Sequence, residues 1–378
     1  MVTSVRPVDW FNVFDVTPTV TFSTKALARA LKLMAGARNS HAKDDLFQHV
    51  RVTASDHTVR LVTQSGVAAT RVRLTAEATG SLDTLVPWRT LAGLSKSAGN
   101  VLLRDNAAET IDGMVTWDPL PLTRWPGESE AAMESPGVSV VNVDAPTLSA
   151  FLRALRVAIP REDFRPILKG ALVDPQERWC ASTNGHHVVR TALPGPLFGL
   201  PIVVALDGVA ALIAGLGSDP HGTVAWQNNP RWLVCRYGPV EVATALLDGR
   251  YPDIRRVIPD VYSAEAIVEG RPLADGLTAV SRAIRDVRGA EMSVTWRPDG
   301  LEVMGHADAT ISRFVPGTGT VPAGVSVCAR FVPADLHHLG QALQPGPVRW
   351  QYSQPESPAR IIQGCIEHIV LPIREYPR

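Results

Sequence analysis

The side chains that most clearly suggest a function are basic residues that recur at helical spacing. Lys25, Arg29 and Lys32 stand at i, i+4 and i+7, and residues 24–38 contain no acid. Positions with this spacing lie on one face of a helix, so the three cations can contact neighbouring phosphates of a polyanion. Such contacts would be independent of base sequence, because they do not reach the base edges.

The same bias recurs in further segments. Residues 146–161 contain three arginines and no acid, and residues 271–288 contain four arginines against two aspartates. With the windows 87–97, 207–218 and 332–343, the helical segments carry thirteen basic and four acidic residues, although the whole chain has 37 of each. The zero net charge is therefore the sum of a positive helical surface and a negative remainder. For any one helix a solvated polar face is the alternative, but the repetition favours a polyanion-binding surface.

Catalytic and metal-binding motifs are absent from the sequence. It contains no G-x-x-x-x-G-K-[ST], no complete G-x-G-x-x-G, no H-E-x-x-H and no G-x-S-x-G. His186-His187 and His337-His338 are adjacent pairs whose side chains diverge on a strand or helix, a poor spacing for metal ligands. We therefore expect no catalytic residue, no metal and no cofactor.

The remaining composition predicts a soluble cytoplasmic protein. The four cysteines lie far apart and form no C-x-x-C pair, which favours a reducing compartment. Residues 1–20 lack the apolar stretch of a signal peptide. No uninterrupted apolar run is long enough to predict a membrane span.

Helical spacing recurs along the chain with a fixed period. Leu27, Leu148 and Leu273 each begin an apolar i, i+4, i+7 pattern, and they stand 121 and 125 residues apart. A second helical segment follows each of them after about 60 residues. An aromatic residue followed by proline recurs at the same period, as R-W-P, R-Y-P and E-Y-P. Three markers with one period predict a threefold internal repeat.

Each repeat is predicted to be an α+β domain. Alternating strand patterns such as 58–62 and 292–296 surround the two short helices, and each helix must bury its apolar face on a sheet. The expected architecture is three repeated domains, each with two short helices packed on antiparallel sheets. The predicted segments are an N-terminal extension at 1–19 and domains at 20–137, 138–260 and 261–378.

Two motifs resemble those of a known family. Residues 181–190 read A-S-T-N-G-H-H-V-V-R, and residues 246–259 read L-L-D-G-R-Y-P-D-I-R-R-V-I-P. They are similar to the T-D-G-H-R-L and D-G-R-[FY]-P-[DN]-x-x-R-[VL]-[IL]-P motifs of the bacterial β sliding clamp, the processivity subunit of DNA polymerase III. Residues 369–374 resemble the closing V-V-M-P-M-R of that family. The resemblance covers about residues 20–374.

The resemblance implies DNA-clamp domains in a ring of two chains joined head to tail, with helices around the hole and sheets outside. Such a clamp is a non-catalytic accessory subunit that encircles duplex DNA and tethers the replicative polymerase. An edge strand near Val115 and Trp117 would join the partner's third domain near Ile284, although ordinary strand core explains Val115 and Trp117 equally well. The implied partners are double-stranded DNA, a second copy of the chain, and polymerase and clamp-loader subunits that carry short linear motifs.

The expected DNA contacts combine the helix charges with a loop after the first helix of the second domain. In that loop Pro166 and Ile167 stand where the family often has aromatic residues on DNA. The predicted DNA-binding residues are Lys25, Arg29, Lys32, Arg38, Arg153, Arg156, Arg161, Arg165, Arg282 and Arg285.

The resemblance also implies a peptide pocket between the second and third domains. An apolar pocket of this kind takes a Leu or Phe anchor, and a few polar groups orient the peptide. Each pocket position has domain packing as its alternative role. Carried over by position, the pocket residues are Leu168, Thr183, Gly185, His186, His187, Val188, Pro252, Arg256, Val257, Val370, Leu371, Pro372, Ile373 and Arg374.

Several positions depart from the family. His187 stands where an arginine is usual, and Leu371 and Ile373 replace methionines, so we expect a less adaptable pocket. Residues 375–378 and an N-terminal segment of about 18 residues have no counterpart in the resemblance. The sequence thus predicts a diverged clamp. A scaffold that binds linear motifs without encircling DNA is the alternative.

Overall fold

The computed structural model describes residues 18–38, 43–135, 140–197, 199–322, 327–354 and 356–373. The chain divides into two compact units. Unit 1 comprises residues 1–127 and 238–240, and unit 2 comprises residues 128–237 and 241–378. Most of the expected N-terminal extension and the last five residues lie outside the described residues.

Unit 1 packs two helices against antiparallel strands. Its strands are β1 (Thr19–Ser23), β2 (His49–Ser55), β3 (Thr58–Gln64), β4 (Ala68–Thr75), β5 (Glu77–Thr79), β6 (Leu82–Pro87), β7 (Asn100–Leu103), β8 (Ala107–Thr110) and β9 (Gly113–Thr116). Its helices are α1 (Thr24–Met34) and α2 (Trp88–Leu94), with 3-10 helices at Ala35–Ala37, Asp45–Gln48 and Leu122–Arg124. The strand orders are β5-β1-β7-β8-β9 and β4-β3-β2-β6, so β9 ends its sheet.

The apolar stripe of α1 fixes that helix on the sheet. Leu27, Leu31 and Met34 are buried, and α1 contacts β4 and β3. The i, i+4, i+7 pattern read in the sequence is therefore confirmed as a core-facing stripe. Because the stripe occupies one side only, the basic residues of α1 are left facing solvent.

Unit 2 repeats this helix-on-sheet plan. Its strands are β10 (Val140–Asp144), β11 (Gly170–Asp174), β12 (Trp179–Thr183), β13 (His187–Ala192), β14 (Ile202–Ala205), β15 (Thr223–Asn228), β16 (Trp232–Tyr237), β17 (Val240–Ala245), β18 (Ala264–Glu269), β19 (Glu291–Arg297), β20 (Gly300–His306), β21 (Thr310–Thr320), β22 (Val327–Phe331), β23 (Pro347–Tyr352), β24 (Ala359–Gln363) and β25 (Ile366–Val370). Its helices are α3 (Glu128–Glu134), α4 (Ala145–Arg156), α5 (Leu206–Leu216), α6 (Gly270–Ile284) and α7 (Pro333–Ala342), with 3-10 helices at Pro166–Lys169 and Ile254–Val257. Helix α4 packs on α5, and α6 packs on α7.

A single twelve-stranded antiparallel sheet runs through unit 2. Its order is β14-β11-β12-β13-β25-β24-β23-β18-β21-β20-β19-β22. Strands β13 and β25 pair over five residues, from His187 opposite Val370 to Thr191 opposite Ile366. This pairing joins the predicted second domain to the predicted third domain through main-chain hydrogen bonds.

The core under α6 is built from aliphatic and aromatic side chains. Leu273, Leu277 and Val280 are fully buried, again at i, i+4 and i+7. Trp296 stacks on Tyr352 with ring centroids 4.8 Å apart, in the same cluster. The repeated leucine pattern of the sequence therefore marks equivalent core faces in both units.

The aromatic residues of the periodic markers are also core residues. Trp125 packs with Leu46 in unit 1, and Tyr251 packs with Leu168 in unit 2. The third marker, Tyr376, lies outside the described residues.

Helix α3 lies just before the predicted domain boundary at residue 137 and is not among the helical segments that the sequence predicts. It packs on β16, and the carbonyl of Met133 accepts a hydrogen bond from Arg236 at 2.6 Å. Ala132 and Met133 are buried, so packing rather than helical propensity holds this short helix. The division between the two units falls just before it, at Gly127.

The predicted α+β class, with helices on antiparallel sheets, is confirmed. Unit 2 holds both the second and the third predicted domains, so the threefold division at residues 137 and 260 stays a prediction. Within the described ranges, no helix is long and apolar enough to cross a membrane.

Leu277→Ala tests the core assignment of the repeated pattern. Truncating a fully buried leucine is expected to lower the free energy of unfolding by about 2–5 kcal/mol. Arg282→Ala, on the exposed side of the same helix, should change it by less than about 0.5 kcal/mol. Urea unfolding followed by tryptophan fluorescence checks both values. Equal effects of the two substitutions would contradict the assignment.

Candidate nucleic-acid interface and peptide groove

The basic face of α1 is exposed as the sequence predicts. Lys25, Arg29 and Lys32 are all exposed and lie opposite the buried stripe. The first turn of α1 contains no acid, so this face presents uncompensated positive charge from its own helix. It suits contact with phosphates.

Arg38 differs from the three cations of α1. Its guanidinium lies over the ring of Trp88, 5.1 Å from the centroid, and its Nε is buried without a hydrogen-bond partner among the described residues. Burial and the neighbouring positive charge of Arg89 lower the pKa of Arg38. Stacking on an aromatic ring therefore holds the side chain in place, and two guanidinium groups come close together there.

The end of α4 presents two further predicted contacts. Arg153 and Arg156 are exposed in the last turn, where the helix dipole favours positive charge. Arg153 donates to Ser149 Oγ and to the carbonyl of Gly217, both at 3.2 Å. These bonds orient Arg153. Arg156 is exposed and forms no such bond among the described residues.

The loop after α4 contains an aromatic residue that the sequence reading missed. Phe164 is 89% exposed, and the Arg165 guanidinium lies 5.0 Å from its ring centroid. Arg165 also forms two hydrogen bonds to Asp163, at 3.1 Å each, so part of its charge is neutralised. Arg161 is exposed in the same loop. The adjacent sequence F-R was the available signal for this exposed stacked pair.

Helix α7 adds a titratable residue beside the basic end of α6. His337 Nδ1 lies 2.9 Å from Ser281 Oγ. Burial, then His338, Arg282 and Arg285, lower the pKa of His337. Both arginines are exposed, and among the described residues Arg285 bonds only to the adjacent Asp286, at 3.4 Å.

The structure places part of the 246–259 motif and residues 371–372 in one groove, and the 181–190 motif is hydrogen-bonded to that segment. The amide of Leu371 donates to the carbonyl of His186 at 2.8 Å. Gly185 has a φ of +95°, a conformation that favours glycine, and it turns the chain between β12 and β13. Asn184 Oδ1 accepts from the amides of His186 and His187 at 2.8 and 2.7 Å. The turn that begins β13 is therefore fixed directly beside the end of β25.

The groove has a volume of about 340 Å³. Four of its wall residues were predicted, namely Arg256, Val257, Leu371 and Pro372. Five were not predicted, namely Ile258, Pro259, Glu356, Ser357 and Pro358. The last three come from the loop between β23 and β24, which carries no motif in the sequence reading and so gave no signal.

The other predicted pocket residues are not among the groove-lining residues. Leu168 and Val188 belong to the apolar cluster against which the lining residues Val257 and Ile258 pack. Of the rest, Gly185, His186 and Pro252 are exposed, Thr183, His187 and Val370 are buried, and Ile373 is half-buried. Arg374 lies outside the described residues.

A buried histidine pair crosses the junction of β13 and β25. His187 Nε2 lies 3.1 Å from His368 Nδ1, and both side chains are almost fully buried. Burial lowers the pKa of His368 to about 4. Burial, together with His368 and His338, lowers the pKa of His187 strongly. The pair is therefore neutral at pH 7, and His187 fills a position inside the junction rather than on the groove wall.

The predicted dimer-contact residues occupy different environments. Val115 lies half-buried on the edge strand β9. Trp117 is also half-buried, and its indole donates to the carbonyl of Leu85 at 3.1 Å. Ile284 is 3% exposed and belongs to the core beneath α6. Its side chain therefore packs inside the unit and is not available at the surface. Among the described residues, no three His, Cys, Asp or Glu side chains form a group that could hold a metal ion.

No protein-family model matches the chain. The β sliding clamp of Pseudomonas putida is 25% identical over 260 residues, which cover 63% of this chain and 67% of that protein. The β sliding clamp of Caulobacter vibrioides is 28% identical over 136 residues, covering 34% of this chain and 37% of that protein.

Solved structures agree with this likeness at the level of the fold. The DNA polymerase sliding clamp of Bacillus subtilis superimposes with a TM-score of 0.80 at 15% identity, covering 95% of this chain and all of that one. A sliding clamp of Bartonella birtlesii bound to griselimycin gives 0.80 at 17% identity, covering 94% and 99%. The DNA polymerase III β subunit of Thermotoga maritima gives 0.78 at 14% identity, covering 95% and 100%.

The histidine pair predicts acid sensitivity of unit 2. Below about pH 6.5 the unfolded chain binds protons at these positions and the folded chain does not, so stability falls with pH until His368 is protonated near pH 4. The resulting loss of unfolding free energy that is due to His368 is on the order of 3 kcal/mol. Urea midpoints measured between pH 7 and pH 4 should fall less in His368→Gln than in the wild type. His221→Gln, at an exposed histidine, should retain the wild-type slope, and a wild-type slope in His368→Gln would refute the assignment.

Proposed function

We infer that this chain, a diverged member of the bacterial β sliding clamp family, is a non-catalytic DNA clamp that tethers a replicative DNA polymerase to duplex DNA. The observation that carries this function is that α1, α4 and α6 each present exposed basic residues, on a fold that matches a sliding clamp over 95% of the chain. The clamp acts where DNA is replicated, so we place it in the cytoplasm.

The DNA contacts that we propose are electrostatic and independent of sequence. Exposed Lys and Arg side chains on helix surfaces can contact phosphates, which carry no base-sequence information. Each contact is weak and depends on salt, which suits a protein that must slide. Retention on DNA then comes from encirclement rather than from affinity.

The ring that we propose closes through free strand edges. Strand β9 pairs only with β8 among the described strands, and Met114 on it is 68% exposed. Strand β21 pairs with β20 over Thr310–Pro316 and with β18 only beyond Val315. One edge of its first half is therefore free, and Phe314 beside that edge is 48% exposed.

Pairing of these edges would repeat an arrangement that the chain already contains. If the predicted threefold repeat holds, β25 of the third domain is equivalent to β9 of the first, and β13 is equivalent to β21. Because β25 pairs with β13 inside the chain, β9 of one copy can pair with β21 of a second copy. A head-to-tail contact of this kind closes when each chain spans half of the circle.

The groove at Leu371 and Arg256 is the proposed docking site for linear motifs of the polymerase and of clamp-loader subunits. Its size of about 340 Å³ suits one apolar anchor side chain. Val257, Ile258 and Pro372 supply the apolar wall, and exposed Arg256 supplies a polar contact at the rim.

The edge contact predicts that the protein is a dimer of about 82 kDa, twice the 40.8 kDa chain. Met114→Lys and Phe314→Lys should each give the 40.8 kDa species in sedimentation velocity at micromolar concentration, because a charge at a paired edge is unfavourable. Val140→Lys places the same charge at an exposed apolar residue of a different strand, and it should leave the dimer intact. A wild-type monomer under these conditions would favour the non-encircling scaffold instead.

Encirclement predicts retention on circular DNA and loss from linear DNA. Protein placed on nicked plasmid by its clamp loader should comigrate with the plasmid in gel filtration, and linearisation should release it. Equal loss from both DNA forms would refute encirclement.

Charge removal tests the same interface by equilibrium binding to a short duplex. Combined Ala substitution of Lys25, Arg29, Arg153 and Arg156 should weaken binding and lower the slope of log K against log salt by about 3 to 4. The matched control replaces four exposed arginines elsewhere, Arg60, Arg104, Arg231 and Arg250, and should keep the wild-type slope.

A further inference from the structure

We propose that Glu356 makes the groove selective for a linear motif that carries a lysine or arginine beside its apolar anchor. This inference rests on the proposed docking function of the groove and specifies the chemistry of the partner. The occupant is an extended peptide segment of a second protein, with one Leu or Phe anchor and one cationic side chain.

Glu356 is a groove-lining residue that belongs to neither of the two sequence motifs. It is exposed, and it belongs to the loop between β23 and β24. The amide of Ser357 donates to the carbonyl of Gln354 at 2.9 Å, which fixes the turn that carries Glu356. Pro358 follows and restricts the chain before β24 begins at Ala359. The backbone that carries Glu356 is therefore constrained on both sides of the residue, while its side chain is exposed.

The arginines of the 254–257 segment have carboxylates nearby on their own side of the groove. Arg255 bonds to Asp253 at 2.9 Å and lies 3.5 Å from Glu177. Arg256 lies 3.7 Å from the same Asp253. The two arginines of this segment thus have two carboxylates within reach.

Glu356 has no such counterpart. Among the described residues it forms no hydrogen bond or ion pair, and the groove wall contains no other acid and only Arg256 as a base. The groove therefore combines the apolar wall formed by Val257, Ile258 and Pro372 with a carboxylate that has no partner among the described residues. A cationic side chain one or two positions from an anchored apolar residue would reach that carboxylate and satisfy it.

Anionic motifs are disfavoured by the same geometry. A second carboxylate beside Glu356 would place like charges together at the rim of a partly apolar groove. An exposed ion pair is worth a modest amount, so selectivity of about threefold to tenfold between a lysine and a glutamate is expected.

Two nine-residue fluorescent peptides test the proposal by anisotropy on the full-length protein. Both carry the same Leu-Phe anchor and differ only in one neighbouring position, lysine in one and glutamate in the other. Wild type should bind the lysine peptide about threefold to tenfold more tightly. Glu356→Gln should remove the difference, and Glu356→Lys should reverse it. Glu77→Lys, at an exposed acid on β5, should keep the wild-type preference.

The outcomes separate this inference from the function on which it rests. Equal binding of the two peptides by wild type overturns the selectivity and leaves the docking groove intact. Both peptides could instead bind no better than a peptide whose anchor is alanine. That result overturns the docking function and the selectivity together. Deletion of residues 374–378 tests the chain's own end as the competing occupant. If the preference disappears in that variant although Glu356 is present, the proposal is wrong.

Discussion

Main-chain pairing of β13 with β25 is the interaction on which the candidate docking site depends. The five paired residues make one sheet of twelve strands, and they bring the turn at Gly185 beside the end of β25. The amide of Leu371 then continues the ladder by donating to His186. Without this pairing, the two motif segments and the end of the chain would have no common surface. The buried His187–His368 contact lies inside the same junction and fills it with neutral side chains.

A second constraint is that each first helix has only one face available for function. In α1 and α6 the apolar i, i+4, i+7 stripe must lie on the sheet, so charge selected for any purpose must occupy the remaining face. This explains how a chain with 37 basic and 37 acidic residues can present positive surfaces. Net charge is a property of the whole chain, whereas phosphate contact depends on the charge within a Debye length of about 10 Å.

Periodic features were predictable from the sequence, and features set by tertiary contacts were not. The helices at Leu27, Leu148 and Leu273 follow from spacing alone, and the exposed basic residues follow because the apolar stripe leaves them the opposite face. Helix α3 was missed because contact with β16 and Arg236 stabilises it. The position of Arg38 depends on Trp88, fifty residues away along the chain, and that of Glu356 on the turn at Ser357. No local pattern in the sequence encodes such contacts.

The free edges of β9 and β21 place opposite demands on the isolated chain and on an assembly. The edge of β9 exposes Met114, and the edge of β21 exposes Phe314. Unpaired edges with exposed apolar side chains are sites of uncontrolled association. Natural proteins usually protect such edges with charges, prolines or bulges, yet Gly113–Thr116 contains none of these. A specific partner strand removes the hazard, because it satisfies the same main-chain groups in one register. The absence of edge protection on β9 is therefore an argument for assembly as strong as the apolar side chains themselves.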